Sequence, residues 1–229
     1  MKKILLIAGH GNGDPGAVGC GYKEADLTRE MVKLIKPKLK NYASVTIADT
    51  SKNWRKHIKE GNKFDFNPYE YALEVHFNAC VNDAKGNGKT TGTEIYVTTL
   101  EKGTSVEESI VNNISALGLN NRGVKRKNWD LIHHIKKQGV SSALLEVCFI
   151  DDADDMKIYE SKKDKIADAI AKGIIKGFGL TKEKSEMSLK DAKNVLKNKV
   201  GLADETITFL ECYKYGEDLI KKIVEAVEK

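Results

Sequence analysis

The stretch Lys2-Lys3-Ile4-Leu5-Leu6-Ile7-Ala8-Gly9-His10-Gly11-Asn12-Gly13-Asp14-Pro15-Gly16-Ala17 decides how the rest of the chain is read. Five apolar residues in succession, Ile4 to Ala8, predict a short strand buried on both faces, as strands are inside a helix-covered parallel sheet. His10 falls where that strand should stop. Gly9, Gly11, Gly13 and Gly16, with Asp14 and Pro15, are too rich in breakers for helix or strand and predict a loop. Ligands of α/β sheets sit in the crevice at the carboxyl ends of the strands. A histidine carried out of a strand into a glycine-rich loop is therefore placed to meet one.

Outward from this strand, the first 180 residues alternate strand-like and helix-like segments. Residues 25–39 carry Leu27, Met31, Leu34, Ile35 and Leu39 at helical spacing. Residues 45–48, 71–76, 93–98 and 142–147 read as strands, and residues 54–61, 106–117 and 155–178 as helices. The alternation predicts an α/β fold: a mixed, mostly parallel twisted sheet with helices on both faces. Residue 179 is a glycine, followed by a polar run, so residues 181–187 read as a linker. Residues 188–229 read as a small all-α module with three apolar stripes: Leu189, Ala192, Val195 and Leu196; Ile207, Phe209, Leu210 and Tyr213; and Leu219, Ile220, Ile223, Val224 and Val227. A module of about 40 residues is near the lower limit for independent folding, which favours docking or a homo-oligomer.

With 229 residues, 41% of them hydrophobic and 31% charged, the chain can bury a core and keep a polar surface. No run approaches the ~20 apolar residues of a membrane helix, so no membrane insertion is expected. Met1-Lys2-Lys3 followed by Ile4 to Ala8 imitates a signal peptide, but the apolar run is shorter than the usual ~7–15 residues. Synthesis in the cytoplasm without a signal peptide is the expectation. The net charge of +5 suits an anionic polymer. Arginine-rich blocks and aromatic-basic interleaving are lacking, which argues against nucleic acid as that polymer. Cys20, Cys80, Cys148 and Cys212 are scattered without a C-x-x-C pair and read as isolated thiols, not a disulfide framework.

Three chemistry-bearing residues share one address. His10 ends the first strand, His76 ends the strand of residues 71–76, and Glu146 lies near the end of Ser142-Ala143-Leu144-Leu145-Glu146-Val147. Glu24 opens the first long helix just after the glycine-rich loop and can turn back toward His10. Two histidines and a carboxylate make a catalytic zinc set with a fourth position left for water. Glu146, in an otherwise apolar run, asks for a reason, and general acid–base work beside a metal-activated water supplies one. Spacing alone leaves structural readings open: a strand-end histidine, a helix first-turn carboxylate at Glu24, a buried ion-pair partner at Glu146. No compact H-E-x-x-H pair is present.

Five motifs in order bring a resemblance. Ala8-Gly9-His10-Gly11 with Asp14-Pro15-Gly16-Ala17 and Glu24, then Glu74-Val75-His76-Phe77-Asn78-Ala79, Gly92-Thr93-Glu94-Ile95-Tyr96-Val97, Asn121-Arg122-Gly123-Val124-Lys125, and Leu144-Leu145-Glu146-Val147-Cys148-Phe149-Ile150 together resemble the zinc-dependent N-acetylmuramoyl-L-alanine amidases over nearly all of residues 1–180. The resemblance implies one Zn2+ per catalytic domain held by His10, Glu24 and His76, with Glu146 as catalytic glutamate. It implies Asn78 and Arg122 as substrate-binding or supporting groups and Asp14 as a brace of the loop. It implies cleavage of the amide between N-acetylmuramic acid and the L-alanine of the stem peptide, with peptidoglycan and its wall polymers as partners. Cys148 and the pair His133-His134 depart from the pattern, the pair being assigned to a surface helix or the substrate rim. A phage endolysin of a Gram-positive, clostridial-type host, reaching the wall after membrane breach, fits these expectations. Residues 188–229 would then bind the wall or form a homo-oligomer. The alternatives are a zinc peptidase cutting within the stem peptide and a non-catalytic wall-binding protein on the same fold.

Overall fold

The computed structural model describes residues 1–183 and 187–227, in two compact units, Met1–Lys182 and Glu183–Lys229. Of the predicted linker, residues 184–186 lie outside the described residues, as do 228 and 229 of the predicted module.

The first unit runs β1 (Lys2–Ala8), β2 (Val18–Gly19), β3 (Tyr22–Lys23), α1 (Glu24–Lys38), β4 (Ala43–Ile47), α2 (Trp54–Lys59), β5 (Tyr71–Asn78), β6 (Thr93–Val97), α3 (Ser105–Ser115), β7 (Asn121–Arg126), α4 (Asp130–Lys137), β8 (Ser141–Phe149) and α5 (Ala153–Gly177). Six strands form one sheet in the order β4-β1-β5-β8-β6-β7. The pairings are parallel except β6 with β8, which is antiparallel. The sheet is thus mixed and mostly parallel, as expected.

The five-residue apolar run of β1 serves two cores. Ile4, Leu6 and Ala8 join Leu73, Val75, Leu145 and Val147 against α1, α3 and α5. Leu5 and Ile7 point the other way, into a smaller cluster with Ala72, Trp54, Phe66, Leu131 and Ile135. Because side chains alternate along a strand, a strand covered on both faces must be apolar at every position. That explains why β1 reads as an unbroken run.

Some elements escaped the sequence pattern. β2 and β3 form a two-residue hairpin inside the first loop. β7 lies at the sheet edge and is written Asn-Arg-Gly-Val-Lys-Arg, the polar edge that blocks pairing with other chains. Apolar alternation is too weak there to reveal a strand. The acidic run after β8 proves to be an anchor. Asp151 accepts from the backbone N–H groups of Cys80, Val81 and Asn82, Asp154 from those of Asn87 and Gly88, and Asp152 and Asp155 from those of Thr91 and Gly92. These bonds pin the long β5–β6 connection to the start of α5.

The second unit contains α6 (Leu189–Val195), a π-helical turn (Leu196–Val200), α7 (Asp204–Glu211) and α8 (Gly216–Val227). Ser188 caps α6 by accepting from the Asp191 N–H. Its core is Ala192, Leu196, Ile207, Ile220 and Val224. Phe209 and Tyr213, expected on an inner stripe, are exposed instead, at 63% and 55%. At about 100° per residue, Phe209 sits roughly opposite Ile207 on α7, and one short helix cannot bury both faces.

Candidate metal centre and cleft

β1, β5 and β8 are neighbours and parallel, so their carboxyl ends open on one side, where His10, His76 and Glu146 arrive. His76 and Glu146 are directly paired in register, and Glu146 is paired in turn with Glu94 on β6. The loop after β1 returns Glu24, the first residue of α1, to the same point.

Glu24 is held from four sides. Its Oε1 accepts from the Phe77 N–H at 3.0 Å and lies 2.8 Å from His76 Nδ1. Its Oε2 accepts from the Ala17 N–H at 2.9 Å and lies 3.0 Å from His10 Nε2. Burial would raise the pKa of this carboxyl, but the two imidazoles outweigh it and hold it well below the usual carboxylate range. Burial would likewise lower the two histidines; Glu24 with Asp14 raises His10, and Glu74 with Glu24 raises His76.

The backbone is shaped for this convergence. His10 itself adopts φ 60°, a left-handed conformation uncommon for a residue with a side chain. Arg29 clamps it there: the guanidinium donates to the carbonyl oxygens of Gly9, His10, Ala25 and Thr50. Two glycines are required by close approach. A Cβ on Gly9 would fall 2.4 Å from the His76 ring, and one on Gly16, where φ is +68°, would fall 2.7 Å from Glu24 Oε2.

His10, Glu24 and His76 offer donor atoms that all lie within 4.8 Å of one another. Two imidazole nitrogens and a carboxylate oxygen fit a catalytic zinc ion with an open position. The distal nitrogen of each imidazole also faces a carboxylate, as metal-bound histidine requires: His10 Nδ1 lies 2.9 Å from Asp14, and His76 Nε2 lies 2.9 Å from Glu74. Asp14 is braced by the Gly16 N–H and by Asn53.

Glu146 is the opposite of Glu24. Its Oε2 is buried and has no hydrogen-bond partner among the described residues. Burial pushes its pKa up to about 7, opposed by His76 and reinforced by Glu24, Glu94 and Glu74. It lines a cleft of about 260 Å³ together with His10, Glu24, His76, Arg55 and Trp129.

Asn78 and Arg122 both turn to Glu94. The Asn78 amide donates to Glu94 Oε1 at 2.9 Å, and Arg122 Nε and Lys125 Nζ donate to Oε2 at 2.6 and 2.5 Å. Tyr96 adds a hydroxyl donor at 2.7 Å. His133 and His134 lie half-buried on α4, outside the residues lining the cleft. Sequence reasoning missed Arg29, whose carbonyl partners come from separate segments, and Glu74. A signal for Glu74 was there: an acid in an apolar strand, two residues from a histidine and so on its face.

A mixed α/β sheet presenting two histidines and a glutamate at its strand ends, with an uncompensated carboxylate alongside, has the donor set that metallohydrolases use. Residues 4–176 match the N-acetylmuramoyl-L-alanine amidase family, and the chain belongs to it. Among its relatives, the N-acetylmuramoyl-L-alanine amidase LytC of Bacillus subtilis is 31% identical over 76% of this chain, and the endolysin of Bacillus phage SPP1 is 28% identical over 77%. The chain spans 35% and 65% of the lengths of these two proteins. The catalytic domain of the CD27L endolysin targeting Clostridia Difficile superposes with a TM-score of 0.62 at 20% identity, over 77% of this chain and 98% of that one. It shares the fold.

Proposed function

We propose that the chain is a zinc-dependent peptidoglycan hydrolase that cleaves the amide between the lactyl group of N-acetylmuramic acid and the L-alanine of the stem peptide. His10, Glu24 and His76 hold one Zn2+, and Glu146 is the catalytic glutamate. Zinc, when bound, supplies a Lewis acid that polarises the scissile carbonyl and acidifies water. Glu146 takes a proton from the attacking water on its carboxylate. It then passes that proton to the L-alanine nitrogen as the water oxygen, now bonded to the lactyl carbonyl carbon, displaces it and the C–N bond breaks. The products are a lactyl carboxylic acid and an amine, and the acid's proton ends on the amine, giving carboxylate and ammonium. In the metal-free protein burial holds this carboxyl near neutrality, at about 7, the range suited to both halves of the exchange. Asn78 and Arg122 act through Glu94, as supports of the residue that stands opposite Glu146 in the sheet register.

The observation that carries this reading is the unpartnered, buried Glu146 oxygen in the same cleft as the three-residue donor set. The experiment is analysis of muropeptides released from purified wall with and without chelator. New N-terminal L-alanine that disappears with chelator and returns with zinc is the expected result. New termini inside the stem peptide would identify a peptidase instead, and no release at all a wall-binding protein.

The similarity to the endolysin of a Bacillus phage supports a lytic role on the wall of a Gram-positive host. Among the described residues no helix is long and apolar enough to cross a membrane. The second unit serves wall binding in this reading. Its exposed Phe209, Tyr213 and Tyr215 are flat apolar surfaces on which sugar rings can stack. Self-association through the same unit is the competing role, and sedimentation of the full chain separates the two.

A further inference from the structure

We propose that Glu74 is a positioning residue for the metal centre: it selects the imidazole nitrogen that His76 presents to the ion. The proposal rests on the reading of His10, Glu24 and His76 as metal ligands.

Glu74 stands where a carboxylate is expensive. It is 4% exposed, and its register neighbours are Ile7 on β1 and Leu144 on β8. A buried charge in such surroundings needs a compensating partner. Among the described residues that partner is His76, whose Nε2 lies 2.9 Å from Glu74 Oε1. The two side chains share a face of β5 because they are two residues apart on a strand. Glu74 is therefore fixed beside the imidazole by the sheet, with no loop to move it.

The consequence is a choice of nitrogen. A carboxylate accepts the N–H of Nε2, which leaves the Nδ1 lone pair for the ion and makes the ring more basic. Nδ1 is the atom that faces Glu24, 2.8 Å away. His10 is oriented by the same device in the reverse sense: Asp14 takes Nδ1, and Nε2 faces Glu24. The first carboxylate comes from a turn and the second from a strand, yet both aim a lone pair at one point. Asp14 is braced by an amide and a backbone N–H, whereas Glu74 relies on His76. The dependence is mutual, and a ring without Glu74 is free to bind through either nitrogen or to rotate.

The test is zinc affinity of the full chain, measured by chelator competition, with melting of the metal-free protein by tryptophan fluorescence as the check on folding. Wild type is expected to bind one zinc. Glu74→Ala is expected to bind it about 10- to 100-fold more weakly. Glu74→Gln, which keeps an acceptor at Nε2 and loses the charge, is expected between the two. A purely structural role would lower the metal-free melt while leaving the affinity of the folded protein in place. Zinc affinity of Glu74→Gln and Glu74→Ala within twofold of wild type overturns the proposal and leaves the ligand reading standing. A wild type that binds no zinc, or a His76→Ala variant that binds it as well as wild type, overturns both.

Discussion

Glu146→Gln is expected to make the metal-free protein more stable, and by an amount that grows with pH. The carboxyl has an ordinary pKa of 4.5 in the unfolded chain and about 7 in the folded one. Below pH 4.5 both states carry the proton, and the residue contributes nothing to the balance. Between 4.5 and about 7 the unfolded chain has released a proton that the folded chain retains, so stability falls as pH rises. Above about 7 the folded carboxylate is charged with one buried oxygen unpartnered, and the loss is complete. At about 1.4 kcal/mol per pH unit it reaches about 3 kcal/mol. Glutamine has the same shape and no charge, so it removes that loss. Any fixed cost of burying the amide is the same at every pH and drops out of a comparison between two. The assay is urea denaturation of the chelator-treated full chain at pH 5 and pH 8.5, followed by tryptophan fluorescence. Trp54 and Trp129, the chain's two tryptophans, both belong to the first unit, so the signal reports the unit that holds Glu146. The gain of the variant over wild type should be about 2–3 kcal/mol larger at pH 8.5. A difference under about 0.5 kcal/mol, or one of the opposite sign, refutes the claim that this carboxylate is uncompensated. The zinc-loaded variant should at the same time lose about 10²- to 10⁴-fold in turnover.

Four further outcomes are expected. Gly16→Ala puts a methyl group 2.7 Å from Glu24 Oε2 at a φ of +68°, and it should weaken zinc binding at least about tenfold by displacing the carboxylate. Gly13→Ala, with φ +85° and nothing within 4 Å, should leave zinc binding near wild type; equal effects in the two variants would show that backbone strain, not displacement of Glu24, is responsible. Arg29→Ala strips donors from the carbonyl oxygens of Gly9, His10, Ala25 and Thr50 and should lower the urea midpoint by an amount equivalent to about 2–4 kcal/mol; a loss under about 1 kcal/mol would mean that the loop after β1 holds itself. Ending the chain at Lys182 should leave turnover on soluble muropeptides unchanged and reduce sedimentation with purified wall, and unchanged sedimentation would remove wall binding from the role of the second unit.

What was legible in the sequence, and what was not, follows from how each feature is encoded. β1 was legible because a strand buried on both faces needs an apolar residue at every position, and Ile4 to Ala8 supply five. The order of the strands was not, because pairing is decided by which cores form together. Nothing within Thr-Glu-Ile-Tyr-Val announces that β6 runs antiparallel to β8. β7 was hidden by the polarity that protects a sheet edge. Phe209 and Tyr213 misled for a related reason: an apolar residue at helical spacing predicts a buried face only where there is a neighbour large enough to bury it. The resemblance led to an expectation of Asn78 and Arg122 at the site, but their tie to Glu94 could be seen only once β5, β6 and β7 had been laid side by side.

The carboxylates show the same division at finer grain. Glu146 was readable as an acid in a costly place, Glu74 in a like place was passed over, and Glu24 alone read as a favourable first-turn carboxylate. Spacing gave no means of ranking them, and only the resemblance separated ligand from catalyst. The fold ranks them by their donors. Glu24 meets two backbone N–H groups and two imidazoles, and its pKa falls far below the ordinary range. Glu146, with one oxygen meeting no donor, rises to about 7. Burial acts in the same direction on both, so depth alone cannot explain opposite outcomes; the number of donors decides the sign. A carboxylate pinned at low pKa can serve as a permanent anionic ligand and is useless as a proton carrier. One left near neutrality is a poor anchor and a good carrier. In the proposed mechanism, two glutamates driven apart in this way within one cleft divide the roles of holding and reacting between them. The division rests on the loop after β1, which delivers the Ala17 N–H and His10 to Glu24 and sends no donor to Glu146 Oε2.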